Sequence, residues 1–244
     1  MRRIQRLGVL CWKAWFVLIN ALVIALLFPF LLASTLRERD YPWFFRLCRV
    51  WARCVLWAMG LRLRPVYEAP EDRKKPCIVV ANHTSMIDIL CTFLLVDAPF
   101  LFIGKIELAR VPLFGFFYRR TNILVDRSSR ASAHRSFLEA DRRLSAGLGV
   151  CIYPEGGVPD PHIRLAPFKE GAFRLSVRNG IPILPITFVD NKRAFPYALY
   201  EGRPMRLRAR IGRLEWPVGT EAEATREMKQ RIRGIIEHQL EAAE

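Results

Sequence analysis

The sequence predicts a single α/β domain, a mostly parallel or mixed sheet flanked by helices, preceded by an N-terminal membrane-anchoring helical pair. Three observations carry this. From residue 60 onward, short apolar runs rich in β-branched residues alternate with helix-length amphipathic segments, as crossover helices between strands require. Polar clusters follow several of those runs directly, where open α/β sheets place their ligands. Before residue 60, two apolar stretches are interspersed with arginines. The chain therefore divides into an anchoring segment, 1–59, and an α/β domain, 60–244. Its 244 residues suffice for one ordinary domain with an appendage, and are too few for two large ones.

Arg2, Arg3, Arg6 and Lys13 precede a nearly uncharged run, 14–36, whose polarity is broken only by Asn20, Ser34 and Thr35. At about 1.5 Å per residue it is long enough to cross a hydrocarbon core of about 30 Å. A signal peptide shares the basic front and the small Ala33-Ser34-Thr35, but the run is long for a signal's apolar region. Arg37, Arg39, Arg46, Arg49 and Arg53 place positive charge beyond it as well, so the positive-inside rule favours neither orientation. A segment that dips into one leaflet, bent near Pro29, resolves this. Residues 43–59 agree: Arg46, Arg49 and Arg53 recur at helical spacing among Trp43, Phe44, Phe45, Trp51 and Trp57, as in a helix lying in a membrane interface. A buried helix with its arginines solvated on one face is the competing reading. On the first reading, a chain starting at residue 60 would be soluble.

Gly60 ends the second helix, residues 61–67 alternate as a half-buried strand, and the charged, proline-bounded stretch 69–76 is a loop. Ile78-Val79-Val80 reads as a buried strand, and Thr84 and Ser85 offer an N-cap to a helix over 86–96. His83 thus stands at the carboxyl end of a strand, with Asp88 five positions on in the first helical turn. A carboxylate folded back onto an imidazole fixes its tautomer and leaves the other ring nitrogen as a base for a hydroxyl proton. Ser85 with Asp88 is equally a capping box. The residues alone leave both readings open.

Residues 99–104 form a second core strand that delivers Lys105, by default an exposed lysine at a strand end. Asn122-Ile123-Leu124-Val125-Asp126-Arg127 is a short strand ending in an acid-base pair. Arg127 is there either as a surface ion pair or as a bidentate anion ligand. An amphipathic helix over 132–146 puts Ala133, Phe137, Ala140 and Leu144 on one stripe and His134 on the solvated side. The strand Val150-Cys151-Ile152-Tyr153 runs into Pro154-Glu155-Gly156-Gly157, where glycines permit close backbone approach and a glutamate can accept hydrogen bonds from hydroxyls. A helix opened by Phe168 closes at Asn179-Gly180. Pro182-Ile183-Leu184-Pro185-Ile186 then enters a buried parallel strand, its prolines where pairing has not begun or is interrupted. Residues 205–214 alternate as an edge strand, and Thr220 with Glu223 caps a charged C-terminal helix.

A net charge of +15 and a pI near 10.2 call for anionic partners. The chain has no finger spacing, no stacking-aromatic sheet signature and no segregated basic block, so nucleic acid is set aside in favour of membrane lipid. Six cysteines without CxxC spacing point to a reducing, cytoplasmic setting with no metal site. The absence of a Gly-x-Ser-x-Gly elbow argues against a serine hydrolase.

Asn82-His83, four intervening residues and Asp88 together resemble the NHxxxxD motif of the glycerolipid acyltransferases, the family of the 1-acylglycerol-3-phosphate (lysophosphatidic acid) acyltransferases. The resemblance implies that His83 is the general base and Asp88 its orienting partner. It extends to Gly-Lys-x-Glu-Leu at 104–108, whose Lys105 would hold an acceptor phosphate. It extends also to a second motif ending in Arg127, with Thr121 in place of glycine and Leu124 in place of phenylalanine. The third motif, Pro-Glu-Gly-Thr-Arg-Ser in the family, is matched only in its first half. Glu155 would contact the glycerol, and Asn82, Gly156 and Gly157 would complete the substrate-binding set. Gly157-Val158-Pro159 replaces the rest, so the arginine usually offered to phosphate is missing, with Arg164 or Lys169 as candidate replacements. The proline-bracketed strand matches a fourth motif.

The implied activity is transfer of a fatty acyl group from a thioester, acyl-CoA or acyl carrier protein and no other cofactor, to the free hydroxyl of a lysophospholipid to give phosphatidic acid. It would take place on the cytoplasmic face of the cell membrane, without an acyl-enzyme. Residues 112–118, dense in Phe and Leu, suit an acyl-chain pocket or ordinary core. A phosphate-free lyso-aminolipid acceptor and a non-catalytic membrane-bound scaffold are the alternatives.

Overall fold

The computed structural model describes residues 3–160, 162–219 and 222–243; the cap expected of Thr220 lies outside them. Seven strands form one sheet: β1 (Arg62–Tyr67), β2 (Ile78–Ala81), β3 (Phe100–Lys105), β4 (Ile123–Val125), β5 (Gly149–Ile152), β6 (Ile183–Phe188) and β7 (Arg206–Ile211). Their order is β1-β7-β6-β2-β5-β3-β4. Every pairing is parallel except β6 with β7, which makes the sheet mixed.

Helices α1 (Arg3–Ser34), α2 (Tyr41–Ala58), α3 (Ile87–Leu95) and α4 (Phe114–Thr121) contribute to one layer. On the other face lie α5 (Arg130–Ser145), α6 (Gly171–Asn179) and α8 (Ala222–Glu241), while α7 (Asn191–Ala194) is a single turn after β6. Strand alternation sorts the two cores. In β2, Val79 and Ala81 join the first, Ile78 and Val80 the second.

Two expectations about strands and helices need correction. The alternating strand β7 is interior in the sheet order, between β1 and β6, and β1 is the edge. Its alternation reflects one covered face, Leu207, Ala209 and Ile211, beneath an open one carrying arginines. On α5 the buried stripe is Ser132, Ser136, Ala140 and Leu144, with Ala133 exposed. Small hydroxyls fit here because they find backbone partners: Ser136 Oγ donates to Leu124 O at 2.9 Å. The prolines of the fourth motif behave as expected. Antiparallel pairing of β6 with β7 begins at Ile186, so the Pro185 nitrogen falls just outside that ladder.

α1 and α2 form an antiparallel hairpin. Trp12 and Trp15 donate from Nε1 to Met59 O and Ala58 O, both at 3.1 Å, and Trp51 Nε1 donates to Asn20 Oδ1 at 3.1 Å. That last bond accounts for the one amide inside the apolar run. The hairpin is not a detachable appendage. Phe45 of α2 packs on Phe93 of α3 and Phe100 of β3 at centroid distances of 5.6 and 5.1 Å, and Ala52, Val55 and Leu56 are buried beside them. Removing residues 1–59 would therefore strip the first core, where each large apolar side chain contributes about 1.5–3 kcal/mol. Such a chain is expected to aggregate rather than give the soluble domain read from the sequence, and gel filtration of a 60–244 product would contradict this with a monodisperse monomer peak.

Candidate active site

All four residues of β2 are buried, and the chain leaves the sheet at Asn82. Fully buried, this side chain behaves as an extra rung of the sheet. Its Nδ2 donates to Phe188 O at 3.0 Å, and its Oδ1 accepts from Phe188 N at 2.7 Å. Asn82 does not line the cavity described below; it fixes where the next residue begins.

That residue is His83. Its Nδ1 lies 2.9 Å from Asp88 Oδ2, and its ring stacks on Tyr153 with centroids 4.1 Å apart and planes 12° from parallel. Helix α3 starts at Ile87, and of the two expected caps Ser85 is the one that serves, its Oγ accepting from Ile87 N–H at a long 3.4 Å. Capping runs in the opposite sense as well: Asp88 Oδ2 accepts from the N–H groups of Thr84 at 2.6 Å and Ser85 at 2.8 Å, while Ser85 Oγ donates its own proton to Phe195 O. Asp88 Oδ1 accepts from Asn191 Nδ2 at 2.8 Å. One fully buried carboxylate thus both ties the entry turn of α3 and holds the imidazole. With Nδ1 engaged, Nε2 is the nitrogen left for a substrate.

Glu155 is a clamp. Its Oε1 accepts from His83 N–H at 2.7 Å and its Oε2 from Ala166 N–H at 2.8 Å, joining the exit of β2 to the loop before α6. Burial pushes its carboxyl above the usual range, and those two N–H groups pull it back. Both oxygens are occupied, and neither Glu155 nor Gly156 lines the cavity. Gly156, with φ of 77°, leaves room for the Lys169 side chain, whose Nζ a Cβ there would meet at 2.6 Å.

The cavity itself has a volume of about 940 Å³, at the large end of ligand sites, ~300–1000 Å³. Its lining is mixed. Ile24 and Leu31 of α1, Phe44 of α2, Phe93 of α3, Phe102 of β3 and Phe117 of α4 are its apolar lining, Lys105, Arg127, Lys192 and Arg193 its basic lining, and His83 opens onto the same cavity. The stretch 112–118 therefore serves the cavity and the core at once. Lys105 Nζ is 3.4 Å from Glu107 Oε1, both half exposed, a pair worth little in water. Arg127 Nη1 sits beside Gly157, where a Cβ would meet it at 3.4 Å. Val158 lines the wall, and neither Arg164 nor Lys169 does.

The structure brings together His83, Lys105, Arg127 and Gly157 on the cavity, with Asp88 directly behind His83. Asn82, Glu155 and Gly156 shape it from outside. Sequence reading missed Tyr153, Asn191 and Lys192. Tyr153 reads in the sequence as no more than the end of a strand; its burial pushes the phenol well above its usual range, leaving it a neutral platform for the imidazole. Asn191 and Lys192 follow β6 on α7, and their only sequence signal is position: they too lie just past the carboxyl end of a core strand.

Comparison with known proteins agrees with this geometry. The acyltransferase family model matches residues 64–189. The 1-acyl-sn-glycerol-3-phosphate acyltransferase of Haemophilus influenzae is 32% identical over 128 residues, 51% of this chain and 53% of that protein. The enzyme of the same name from Escherichia coli is 32% identical over 139 residues, 51% and 55%, and that of Limnanthes douglasii 30% over 153 residues, 62% and 53%. The chain thus matches about half the length of these curated relatives. The solved structure of the 1-acyl-sn-glycerophosphate (LPA) acyltransferase from Thermotoga maritima superposes with a TM-score of 0.79 at 23% identity, covering 99% of this chain and 97% of that one, so the fold is shared from end to end. The matched span holds His83, Asp88, Lys105, Arg127 and the glycines at 156 and 157, and the chain belongs to the acyltransferase family.

Proposed function

We propose that the protein transfers a fatty acyl group from a thioester, acyl-CoA or acyl carrier protein, to the free hydroxyl of 1-acylglycerol-3-phosphate, giving phosphatidic acid. The observation that carries this reading is the position of the His83–Asp88 dyad at one cavity with both apolar and basic lining. The printed names of the relatives point the same way. In the reaction, His83 Nε2 takes the hydroxyl proton as the oxygen attacks the thioester carbonyl, and the resulting imidazolium is held by Asp88. The C–O bond forms, the C–S bond breaks, and the proton passes from His83 to the departing thiolate. No acyl-enzyme is needed, and no cofactor beyond the thioester. The intact dyad argues against a non-catalytic scaffold.

The apolar lining suits acyl chains, and α1 and α2 supply some of it. α1 has a window of mean hydropathy 2.7 and is long and apolar enough to cross a membrane by length and composition. Its contacts favour a hairpin lying on one face instead. Near its start, Lys13 Nζ donates to Pro196 O and Ala198 O, both at 2.6 Å; just past its end, Glu38 pairs with Arg143 at 3.3 Å. With both ends tied to one domain, the exposed Leu18, Leu22, Leu26 and Phe30 can enter a single leaflet. A place on the cytoplasmic face of the cell membrane is part of the same reading, supported by the free cysteines and by a water-soluble thioester donor.

For the acceptor phosphate, Lys192 supplies the cation that Val158 does not. It lines the same cavity as Lys105 and Arg127. Its Nζ donates to Ile163 O at 2.8 Å and, more weakly, to Asp160 O at 3.5 Å; both acceptors are neutral carbonyls, which leaves the charge unneutralised. Partial burial lowers its pKa, opposed by Glu155, and an arriving dianion would favour its charged form further. Lys192→Met is expected to raise KM for lysophosphatidic acid about 10- to 100-fold, the worth of one charge-assisted hydrogen bond, and adding Val158→Arg should recover part of that loss. Labelled acyl transfer by the full chain in detergent micelles, with lysophosphatidic acid and a phosphate-free lysolipid as rival acceptors, tests the whole reading. Preference for the phosphate-free acceptor would refute it.

A further inference from the structure

The open face of β1 and β7 carries a grid of arginines that the reaction does not use. The two strands are parallel, with Arg62 opposite Arg206, Arg64 opposite Arg208, and Val66 opposite Arg210. Arg62, Arg64, Arg206 and Arg208 are exposed and Arg210 half-buried. Like charges directly opposite one another on a sheet are destabilising. Only Arg208 is neutralised, by Asp190 at 2.8 and 2.9 Å; among the described residues no ion pair is formed by the other four. α8 shares this side of the sheet but sits over β6, where Gln239 meets Thr187. Its C-terminal end reaches the margin of the grid, where Gln239 Nε2 donates to Glu68 Oε1 and Arg208 Nη1 donates to Ala243 O, and leaves Arg62, Arg64 and Arg206 exposed.

We infer that this face is a docking surface for an acidic helix of a soluble protein, the carrier of the acyl thioester. Geometry selects a helix. Neighbouring strands are about 4.8 Å apart and residues i and i+2 nearly 7 Å, close to the roughly 5–6 Å between carboxylate-bearing positions i and i+3 or i+4 on a helix. Position excludes a lipid surface. The other side of β7, Leu207, Ala209 and Ile211, belongs to the core built by α1 and α2, so the grid looks away from the helices whose exposed apolar residues meet lipid. Location connects it to the site. Arg208 holds Asp190, the residue before Asn191 and Lys192, and the Arg62–Arg206 end of the grid is the end at which β6 and β2 deliver Phe188 and His83.

This deepens the proposed reaction by naming how the donor is presented, and the test reads binding without turnover. The full chain in neutral-detergent micelles is titrated with fluorescently labelled acyl carrier protein bearing a hexadecanoyl-pantetheine thioester. Arg64→Glu combined with Arg206→Glu should weaken Kd about 10- to 100-fold and flatten the salt dependence that the wild type displays. Binding of the same variant to phosphatidylglycerol vesicles should be unchanged. Kd within twofold of wild type overturns the inference, and so does an equal loss of vesicle binding, which would make the face a lipid contact. Arg64→Gln with Arg206→Gln repeats the test with a smaller loss should the double reversal fail to fold. Failure of wild type to acylate lysophosphatidic acid would refute the reaction and leave this measurement standing.

Discussion

His83→Ala is expected to lower kcat about 10²- to 10⁴-fold, a rise in barrier of ~2.7–5.4 kcal/mol, with the protein still folded. The ring is placed to act as base and has little else to hold up. Its Nδ1 is taken by Asp88, its face rests on Tyr153, and 13% of its side chain remains open on the cavity side. The bond that ties this segment to Glu155 comes from the His83 backbone N–H, which alanine keeps. KM for donor and acceptor should therefore move little. Steady-state kinetics alongside a circular-dichroism melt decides the matter: turnover within a few-fold of wild type in a folded variant would remove His83 from the chemistry.

Much of this site was legible because it lies where strands end. β2, β3, β4 and β5 each announce themselves by a short β-branched or aromatic run, and His83, Lys105, Arg127 and Gly157 all follow such runs within a few residues. The mixed sheet was foreseen; the position of β7 within it was not, since alternation reports how many faces are covered and says nothing about how many neighbours a strand has. Division of labour within the motifs was equally hidden. Asn82 and Glu155 are polar residues beside a ligand cavity, yet their side-chain atoms are spent on backbone groups of β6, of His83 and of the 163–168 loop. Lys192 lies about 110 positions after His83, and only the fold makes them neighbours. Nor does composition reveal that a run hydrophobic enough for a bilayer also supplies Phe16, Ile24 and Leu31 to the domain's first core.

Asp88→Asn should separate the two roles that the sequence left competing for this carboxylate. Oδ2 accepts from Thr84 N–H, Ser85 N–H and His83 Nδ1, and an asparagine carbonyl in that place accepts from all three. The new amide would replace Oδ1, facing Asn191 Nδ2. Asn191 can answer by turning its own amide over, because its buried Oδ1 has no partner and an amide flip exchanges donor for acceptor. Capping thus survives the substitution, and stability should change by no more than about 1 kcal/mol. The negative charge does not survive, and with it goes the stabilisation of the imidazolium formed when His83 takes the hydroxyl proton, so kcat should fall about 10²- to 10⁴-fold. Asp88→Ala is the contrasting case. It orphans the N–H groups of Thr84 and Ser85 and the amide of Asn191 in a buried site, at ~1–3 kcal/mol each, so the fold itself should weaken by several kcal/mol. Measuring Tm and kcat for both variants separates the effects: an Asp88→Asn protein with near wild-type kcat would mean that the carboxylate is a helix-entry clamp and not a partner of the base.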